Sequence, residues 1–156
     1  PADREVVAPI PASLAPPEAA RVAVSALRRG VGVDAAFIGN TTFGGGLPAG
    51  DVSRVAFATC VRFDGAIFTA TVDGARLRRL LDAANQGPDT PFDQRGGEYN
   101  VADGPATLDD AKTYRIATND WGAKNTVRYF GEPAIAWHEQ AGVTLKAVVL
   151  RTLGRP

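Results

Sequence analysis

Residues 34–82 alternate short apolar stretches with glycine-containing turns, and this alternation limits the folds open to the chain. Residues 35–38 form a short apolar strand candidate, and residues 66–72 contain the β-branched and aromatic side chains typical of a strand. Asp73 is a good N-cap for the helix that follows, in which leucines recur at helical spacing from Leu77 onward. The pattern predicts one α+β domain with a small mixed sheet flanked by helices.

The first residues predict an extended segment that leads into the domain. Residues 1–17 contain five prolines around a short apolar patch, so we assign residues 1–16 to a linker, with one edge strand at residues 5–8. The domain itself then spans residues 17–156. Pro16 and Pro17 suit the first turn of a helix, and Gly30 is the glycine at which this helix is expected to end.

The remaining segments have patterns of differing clarity. Residues 114–118 indicate a strand, and a second strand is expected near residues 99–101. Residues 52–61 fit a short helix or a strand, and residues 143–153 favour a helix although a strand also fits. Residues 119–133 lack a clear period and are expected to be irregular. Three arginines of the second helix are expected to be solvated: Arg76, Arg78 and Arg79.

Length and charge limit the classes of partner. The chain has 156 residues, of which 17 are basic and 17 acidic, so its formal net charge is zero. Binding to nucleic acid or anionic membranes selects a basic footprint, and no apolar run approaches the ~20 residues of a membrane-spanning helix. We therefore expect a small-molecule or protein partner, and neither nucleic acid nor membrane. Because the chain contains no methionine, we expect a piece or a processed product of a longer protein.

The residues able to do chemistry are few. His138 is the only histidine, and a surface or hydrogen-bonded histidine is a better interpretation than a general base. Cys60 lies among apolar residues and is expected to be a small buried hydrophobe rather than a nucleophile. The carboxylates lack metal-loop spacing, and Asp109-Asp110 fits a solvated turn. We predict no catalytic residue and no metal ligand in this chain.

The order of motifs resembles that of a known family. Residues 34–52 read D-A-A-F-I-G-N-T-T-F-G-G-G-L-P-A-G-D-V, and residues 62–82 read R-F-D-G-A-I-F-T-A-T-V-D-G-A-R-L-R-R-L-L-D. The C-terminal domain of bacterial 5′-nucleotidases, UDP-sugar hydrolases and 2′,3′-cyclic-nucleotide phosphodiesterases has a similar series: N-x-G-G-x-R, P-x-G, P-F-x-N and T-G-x-x-L-x-x-L-L. Residues 114–121, Y-R-I-A-T-N-D-W, are similar to its Y-x-V-A-T-N-x-F. The resemblance extends from Arg21 to the end of the chain, with a shortened middle around Gly104.

The resemblance implies a substrate-binding domain. In the family this domain accompanies an N-terminal metallophosphoesterase domain with two metal ions, and two aromatic side chains sandwich the base. The matching positions are Phe63 and Trp121, although both also fit ordinary core aromatics. The glycine run of the first loop could bring backbone amides close to a phosphate, or form a flexible turn. Further residues expected at the substrate site are Asn40, Gly44, Gly45, Gly46, Asp64 and Asn119.

Four positions depart from the family pattern. Gly39 stands where the family has the asparagine that ends its first strand, and Gly44 stands where it has the arginine of the loop. Gly65 replaces the asparagine of P-F-x-N, and Val127 replaces the aspartate of a later G-G-D-G-Y loop. The stacking positions therefore remain, while polar groups that would read a nucleotide are fewer.

The sequence leaves three functions open. The leading hypothesis is the substrate-recognition domain of a metallophosphoesterase-type hydrolase that acts in nucleotide catabolism on a nucleotide or related phosphate ester. The alternatives are a degenerate structural or protein-interaction domain, and a pocket retuned to a non-nucleotide ester. The residues themselves indicate that the chain alone is not catalytic and holds no cofactor. The resemblance implies that two divalent metal ions belong to the N-terminal domain of the same parent. It also implies a periplasmic or exported protein.

Overall fold

The structure is a computed structural model that describes residues 4–84, 97–132 and 134–153. Strands and helices alternate along these residues. The strands are β1 (Val6–Ile10), β2 (Ala35–Gly39), β3 (Gly50–Ser53), β4 (Ala66–Asp73), β5 (Asn100–Asp103), β6 (Thr113–Asn119) and β7 (His138–Thr144). The helices are α1 (Pro16–Val31), α2 (Arg54–Cys60), α3 (Gly74–Ala84), α4 (Asp120–Lys124), α5 (Thr126–Phe130) and α6 (Leu145–Thr152).

The main sheet has five strands in the order β5-β2-β6-β4-β7. Strands β2 and β6 are parallel, whereas β5 pairs with β2, and both β6 and β7 pair with β4, in antiparallel fashion. Strands β1 and β3 form a separate two-stranded antiparallel sheet. The predicted α+β domain with a small mixed sheet is therefore confirmed.

Helices cover both faces of the main sheet, and β2 shows why. Its side chains alternate, so that Ala36 and Ile38 join one buried cluster, together with residues of α1, α2 and α6. Ala35 and Phe37 join a second cluster, together with residues of α3 and α5. Because both faces are buried, β2 is apolar throughout, as its sequence indicates.

Helix α1 ends two residues later than expected. Gly32, with φ of 78°, is the left-handed residue that closes it, and its N–H bonds to the carbonyl oxygen of Arg28. Gly30 lies inside the helix instead, against α6. A Cβ at Gly30 would lie 2.5 Å from both Val148 Cγ1 and Thr152 Oγ1, so glycine is needed here for close helix packing. The prediction that Gly30 ends the helix was therefore wrong.

Two segments that fitted either a helix or a strand contain both. Strand β3 runs directly into α2, where Ser53 accepts a hydrogen bond from Ala56 N at 3.2 Å and so caps the helix. Strand β7 runs directly into α6 at Leu145. The hydrophobic period of a segment that contains both a strand and a helix matches neither element. For this reason periodicity could not decide between a helix and a strand.

The prediction that residues 119–133 are irregular was wrong, because they contain α4 and α5. Asn119 caps α4 by accepting a hydrogen bond from Gly122 N at 3.0 Å, and Gly131, with φ of 72°, ends α5. Both helices have five residues, which is too short for an apolar period to show in the sequence.

The three arginines of α3 form ion pairs, and only Arg76 is largely buried. Glu132 forms ion pairs with Arg76 Nε at 2.6 Å and with Arg79 Nε at 2.8 Å. The Arg76 side chain is about three-quarters buried. Arg78 Nη2 pairs with Asp110 at 2.7 Å. The Glu132 pairs hold the segment that follows α5 against α3. The expectation of solvation was thus wrong for Arg76.

Candidate functional site

A cavity of about 320 Å³ lies at one edge of the main sheet, the edge at which strands begin and end. At this edge β6 ends and the antiparallel β4 begins, since Ile67 pairs with Asn119. Strand β2 is parallel to β6, so the loop that follows β2 reaches the same edge. The residues that line the cavity are Thr41, Thr42, Phe63, Asp64, Asn119, Asp120 and Trp121. Four of the eight residues expected from the sequence are therefore brought together: Phe63, Asp64, Asn119 and Trp121.

The two aromatic side chains of the cavity are not core residues. Phe63 is 54% exposed and Trp121 is 47% exposed. Trp121 Nε1 donates a hydrogen bond to the Tyr129 hydroxyl at 3.0 Å, and that hydroxyl lies 3.2 Å from Thr41 Oγ1. The ring of Tyr129 is buried. A fixed partner thus orients the indole while much of its surface stays open to solvent.

The polar groups of the cavity divide into structural groups and free acceptors. Asn119 is buried and uses its Oδ1 to cap α4, which places Trp121 in the first turn of that helix. Asp64 Oδ1 accepts hydrogen bonds from Gly65 N at 2.9 Å and Lys146 N at 3.0 Å, and Asp120 Oδ1 accepts one from Trp121 N at 2.9 Å. Within the described residues, the second carboxylate oxygens of Asp64 and Asp120 have no hydrogen-bond or ion-pair partner.

The electrostatic character of the cavity follows from this lining. Among the described residues, those that line the cavity include two carboxylates and no lysine, arginine or histidine. Carboxylate oxygens accept hydrogen bonds from N–H and O–H groups and repel anions at short range. The cavity therefore suits an uncharged ring with hydrogen-bond donors better than it suits a phosphate.

Asn40 and the glycine run lie outside the cavity lining. Asn40 Oδ1 accepts from Tyr99 N, and its Nδ2 donates to Gly97 O, both at 3.1 Å, so the side chain fastens the loop to the residues before β5. The N–H groups of Gly44 and Gly45 donate to carbonyl oxygens at the end of α2, each at 2.9 Å. A Cβ at Gly46 would overlap the carbonyl oxygen of Leu14. The run thus packs against α2 and the segment before α1, and two of its amides are hydrogen-bonded internally.

Two of the glycines that depart from the family pattern leave space for another side chain. A Cβ at Gly39 would lie 2.7 Å from Cε1 of Tyr129, and a Cβ at Gly65 would lie 2.7 Å from Cγ of Asp120. Two side chains at the cavity, the Tyr129 phenol and the Asp120 carboxylate, therefore depend on these glycines for their positions. Neither side chain was predicted from the sequence as a site residue. Asp120 adjoins Trp121 in its motif, and Tyr129 stands at the tyrosine of the G-G-D-G-Y loop, so motif position was a detectable signal for both.

The other reactive residues lie apart from the cavity. Cys60 is buried, and desolvation raises its pKa to about 11, which agrees with a core role. His138 is exposed at the start of β7. In the described ranges, no group of three or more histidine, cysteine, aspartate or glutamate residues is placed to hold a metal ion. No helix in the same ranges has the length and hydropathy needed to cross a membrane.

A family model described as "5′-nucleotidase, C-terminal domain" matches residues 15–132, which is most of the chain. The chain belongs to this family. The match covers the whole cavity lining together with Tyr129, so the cavity of this 5′-nucleotidase C-terminal domain lies inside the region that the family model describes. A search of curated proteins found no match.

Solved structures share the fold of this 5′-nucleotidase C-terminal domain at low sequence identity. A 5′-nucleotidase precursor from Thermus thermophilus is 14% identical with a TM-score of 0.68, over 96% of this chain and 36% of its own. An NAD nucleotidase from Haemophilus influenzae is 15% identical with a TM-score of 0.64, over 96% and 35%. The sulfate thiohydrolase SoxB from T. thermophilus is 14% identical with a TM-score of 0.54, over 96% and 32%. The chain thus spans about a third of the length of each.

Proposed function

We propose that this chain is the substrate-recognition domain of a 5′-nucleotidase-like phosphoester hydrolase, and that Phe63 and Trp121 stack on the base of a nucleotide or on a similar aromatic group. One observation supports this most: two large aromatic side chains, each about half exposed, line the same cavity although the core does not need them. Exposed aromatic surface held in a fixed orientation is typical of binding sites.

The size of the cavity and the strength of stacking agree with this role. A volume of about 320 Å³ is at the lower end of small-molecule sites, and so suits a ring system rather than a whole dinucleotide. A base stacked on an aromatic side chain contributes about 1–3 kcal/mol. The free oxygens of Asp64 and Asp120 are placed to accept hydrogen bonds from amino or ring N–H groups.

The acidic lining of the cavity also supports a second domain that performs the phosphate chemistry. Phosphate-ester hydrolysis in a two-metal site needs several ligands around each ion and a metal-activated water. The acidic cavity is suited to the base end of a substrate, so we place the phosphate chemistry in an N-terminal metallophosphoesterase domain with two divalent metal ions. The solved relatives are about three times as long as the chain, which leaves room for such a domain. By the same likeness we expect an exported, periplasmic location in a bacterium.

Calorimetric titration of the chain with adenosine tests the stacking. Trp121→Ala and Phe63→Ala should each weaken binding about 5- to 150-fold, as expected for the loss of one stacking surface. Val55→Ala is the matched control, because Val55 is an exposed apolar side chain that does not line the cavity. It should bind like the unmodified chain.

Two outcomes would oppose the proposal. Adenosine binding that is equally tight in both aromatic variants would place the ligand elsewhere. A folded, unmodified chain that binds neither adenosine nor AMP would instead favour a structural module, or a pocket retuned to a different ester.

A further inference from the structure

Arg62 lies at the rim of the cavity and contacts two of its walls. Its guanidinium carbon is 5.0 Å from the centroid of the Phe63 ring, a cation–π distance. Its backbone N–H donates to the carbonyl oxygen of Thr42 at 2.9 Å. The side chain is therefore held beside a ring that lines the cavity, although Arg62 itself is not among the lining residues.

The guanidinium of Arg62 has no anionic partner in the described part of the chain. The ion pairs found there involve Arg28, Arg54, Arg76, Arg78, Arg79 and Arg128. Arg62 forms none, and no side-chain hydrogen bond satisfies its N–H donors there either. An arginine presents five donors in a planar fork that matches the oxygens of a phosphate. At this rim they are open to a ligand.

The Arg62 side chain runs beside Gly44. A Cβ at Gly44 would lie 2.6 Å from the backbone oxygen of Thr59, 2.7 Å from Arg62 Cδ and 3.2 Å from Arg62 Cγ. The aliphatic part of Arg62 thus crosses the space into which a side chain at position 44 would project. Position 44 is also where the family pattern has an arginine. Here the loop position is a glycine, and the aliphatic part of Arg62 passes beside it.

We propose that Arg62 binds the phosphate of a nucleoside monophosphate whose base lies in the cavity. The proposal rests on the function proposed above and adds a second recognition element to it. The two carboxylates of the cavity disfavour an anion inside, while the unpaired guanidinium favours one at the rim. The ligand class is an aromatic ring joined to an anionic group a short distance away.

Paired titrations with AMP and adenosine separate the phosphate from the base. Arg62→Gln should weaken AMP binding about tenfold while it changes adenosine binding less than about twofold, since only AMP offers the phosphate. Arg62→Lys keeps the charge without the planar fork and should fall between the two. Added salt should weaken AMP binding to the unmodified chain and have little effect on the Gln variant.

A second variant tests the geometry. In Gly44→Ala the added methyl group would displace Arg62 and would also press on the backbone oxygen of Thr59, so unchanged circular dichroism and unchanged adenosine affinity are needed to show that the loop is intact. In such a protein AMP binding should weaken selectively. Combined with Arg62→Gln, it should cause no further change in the ratio of AMP to adenosine affinity.

The titrations distinguish a failure of this inference from a failure of the proposed function. Equal weakening of AMP and adenosine by Arg62→Gln would mean that Arg62 only positions Phe63, and would overturn the inference. An unchanged AMP affinity in that variant would also overturn it, while adenosine binding that depends on Trp121 would leave the proposed function intact. Absence of binding by either ligand to the folded, unmodified chain would reject both.

Discussion

Three glycines at the cavity each leave room for a side chain from elsewhere in the chain. Gly39 makes room for Tyr129, Gly65 makes room for Asp120, and Gly44 makes room for Arg62 and for the backbone oxygen of Thr59. In the family pattern these three positions are polar residues. The polar groups that lie beside these glycines are a phenol, a guanidinium and a carboxylate.

The thiol of Cys60 gives a prediction that belongs to a single residue. Burial raises its pKa to about 11, so at pH 8 only about one thiol in a thousand is thiolate, and the side chain is also shielded from reagents. Labelling by a thiol-reactive dye at pH 8 should be slow in the native chain and fast in denaturant. Fast labelling without denaturant would contradict the core assignment of Cys60.

The sequence predicted part of the cavity. Phe63 and Trp121 were found from motifs, and Asp64 and Asn119 from their positions beside them. Tyr129 and Arg62 were missed as site residues, because their importance depends on which side chain fills the space beside a distant glycine. Gly39 and Tyr129 are separated by the whole middle of the chain, and sequence spacing alone does not bring them together.

At the scale of elements, one carboxylate joins α3 to the segment that follows α5. The Glu132 side chain is about one-fifth exposed and bridges Arg76 and Arg79. Burial opposes the charged form of Glu132, but hydrogen bonds from Arg79 and Arg76 outweigh it and lower the pKa of the carboxyl below its usual 4.5. Because α5 contains Tyr129, this contact also supports the residues that orient Trp121.

Glu132→Gln should lower the free energy of unfolding by about 1 kcal/mol at pH 7, measured by urea denaturation. The folded-state pKa is depressed, so the stabilisation is fully present above about pH 4.5 and is lost as the pH falls through the lower folded-state value. The stability difference between the two proteins should therefore shrink at acidic pH. Asp110→Asn, which removes an exposed pair with Arg78, is the control and should change stability little. An equal loss in both variants would contradict the special role of Glu132.

Element boundaries were predicted best where a single period or a capping residue marks them. Strand β4 and the start of α1 at Pro16 agree with their sequence signals. Helices α4 and α5 were missed because five residues span little more than one turn. Their existence depends on the cap at Asn119 and on the tertiary contacts of Phe130 and Trp137.

At the scale of the whole molecule, the cavity is assembled from three segments that are distant in sequence. These are the loop after β2, the residues before β4, and the junction of β6 with α4. The parallel pairing of β2 with β6 and the antiparallel pairing of β4 with β6 bring them to one edge. The mixed sheet could be predicted from the alternation of elements, but the strand order could not, because pairing between distant strands leaves no local pattern.

The central claim is that a nucleobase stacks on Trp121, and the emission of Trp121 tests it most directly. The chain has two tryptophans, and Trp137→Phe leaves Trp121 as the sole reporter while it retains an aromatic ring beside Phe130. We predict that titration of this variant with adenosine changes the Trp121 emission to a saturating limit, and that Phe63→Ala shifts the titration to higher adenosine concentration. An emission spectrum of Trp121 that stays unchanged up to millimolar adenosine would contradict the claim.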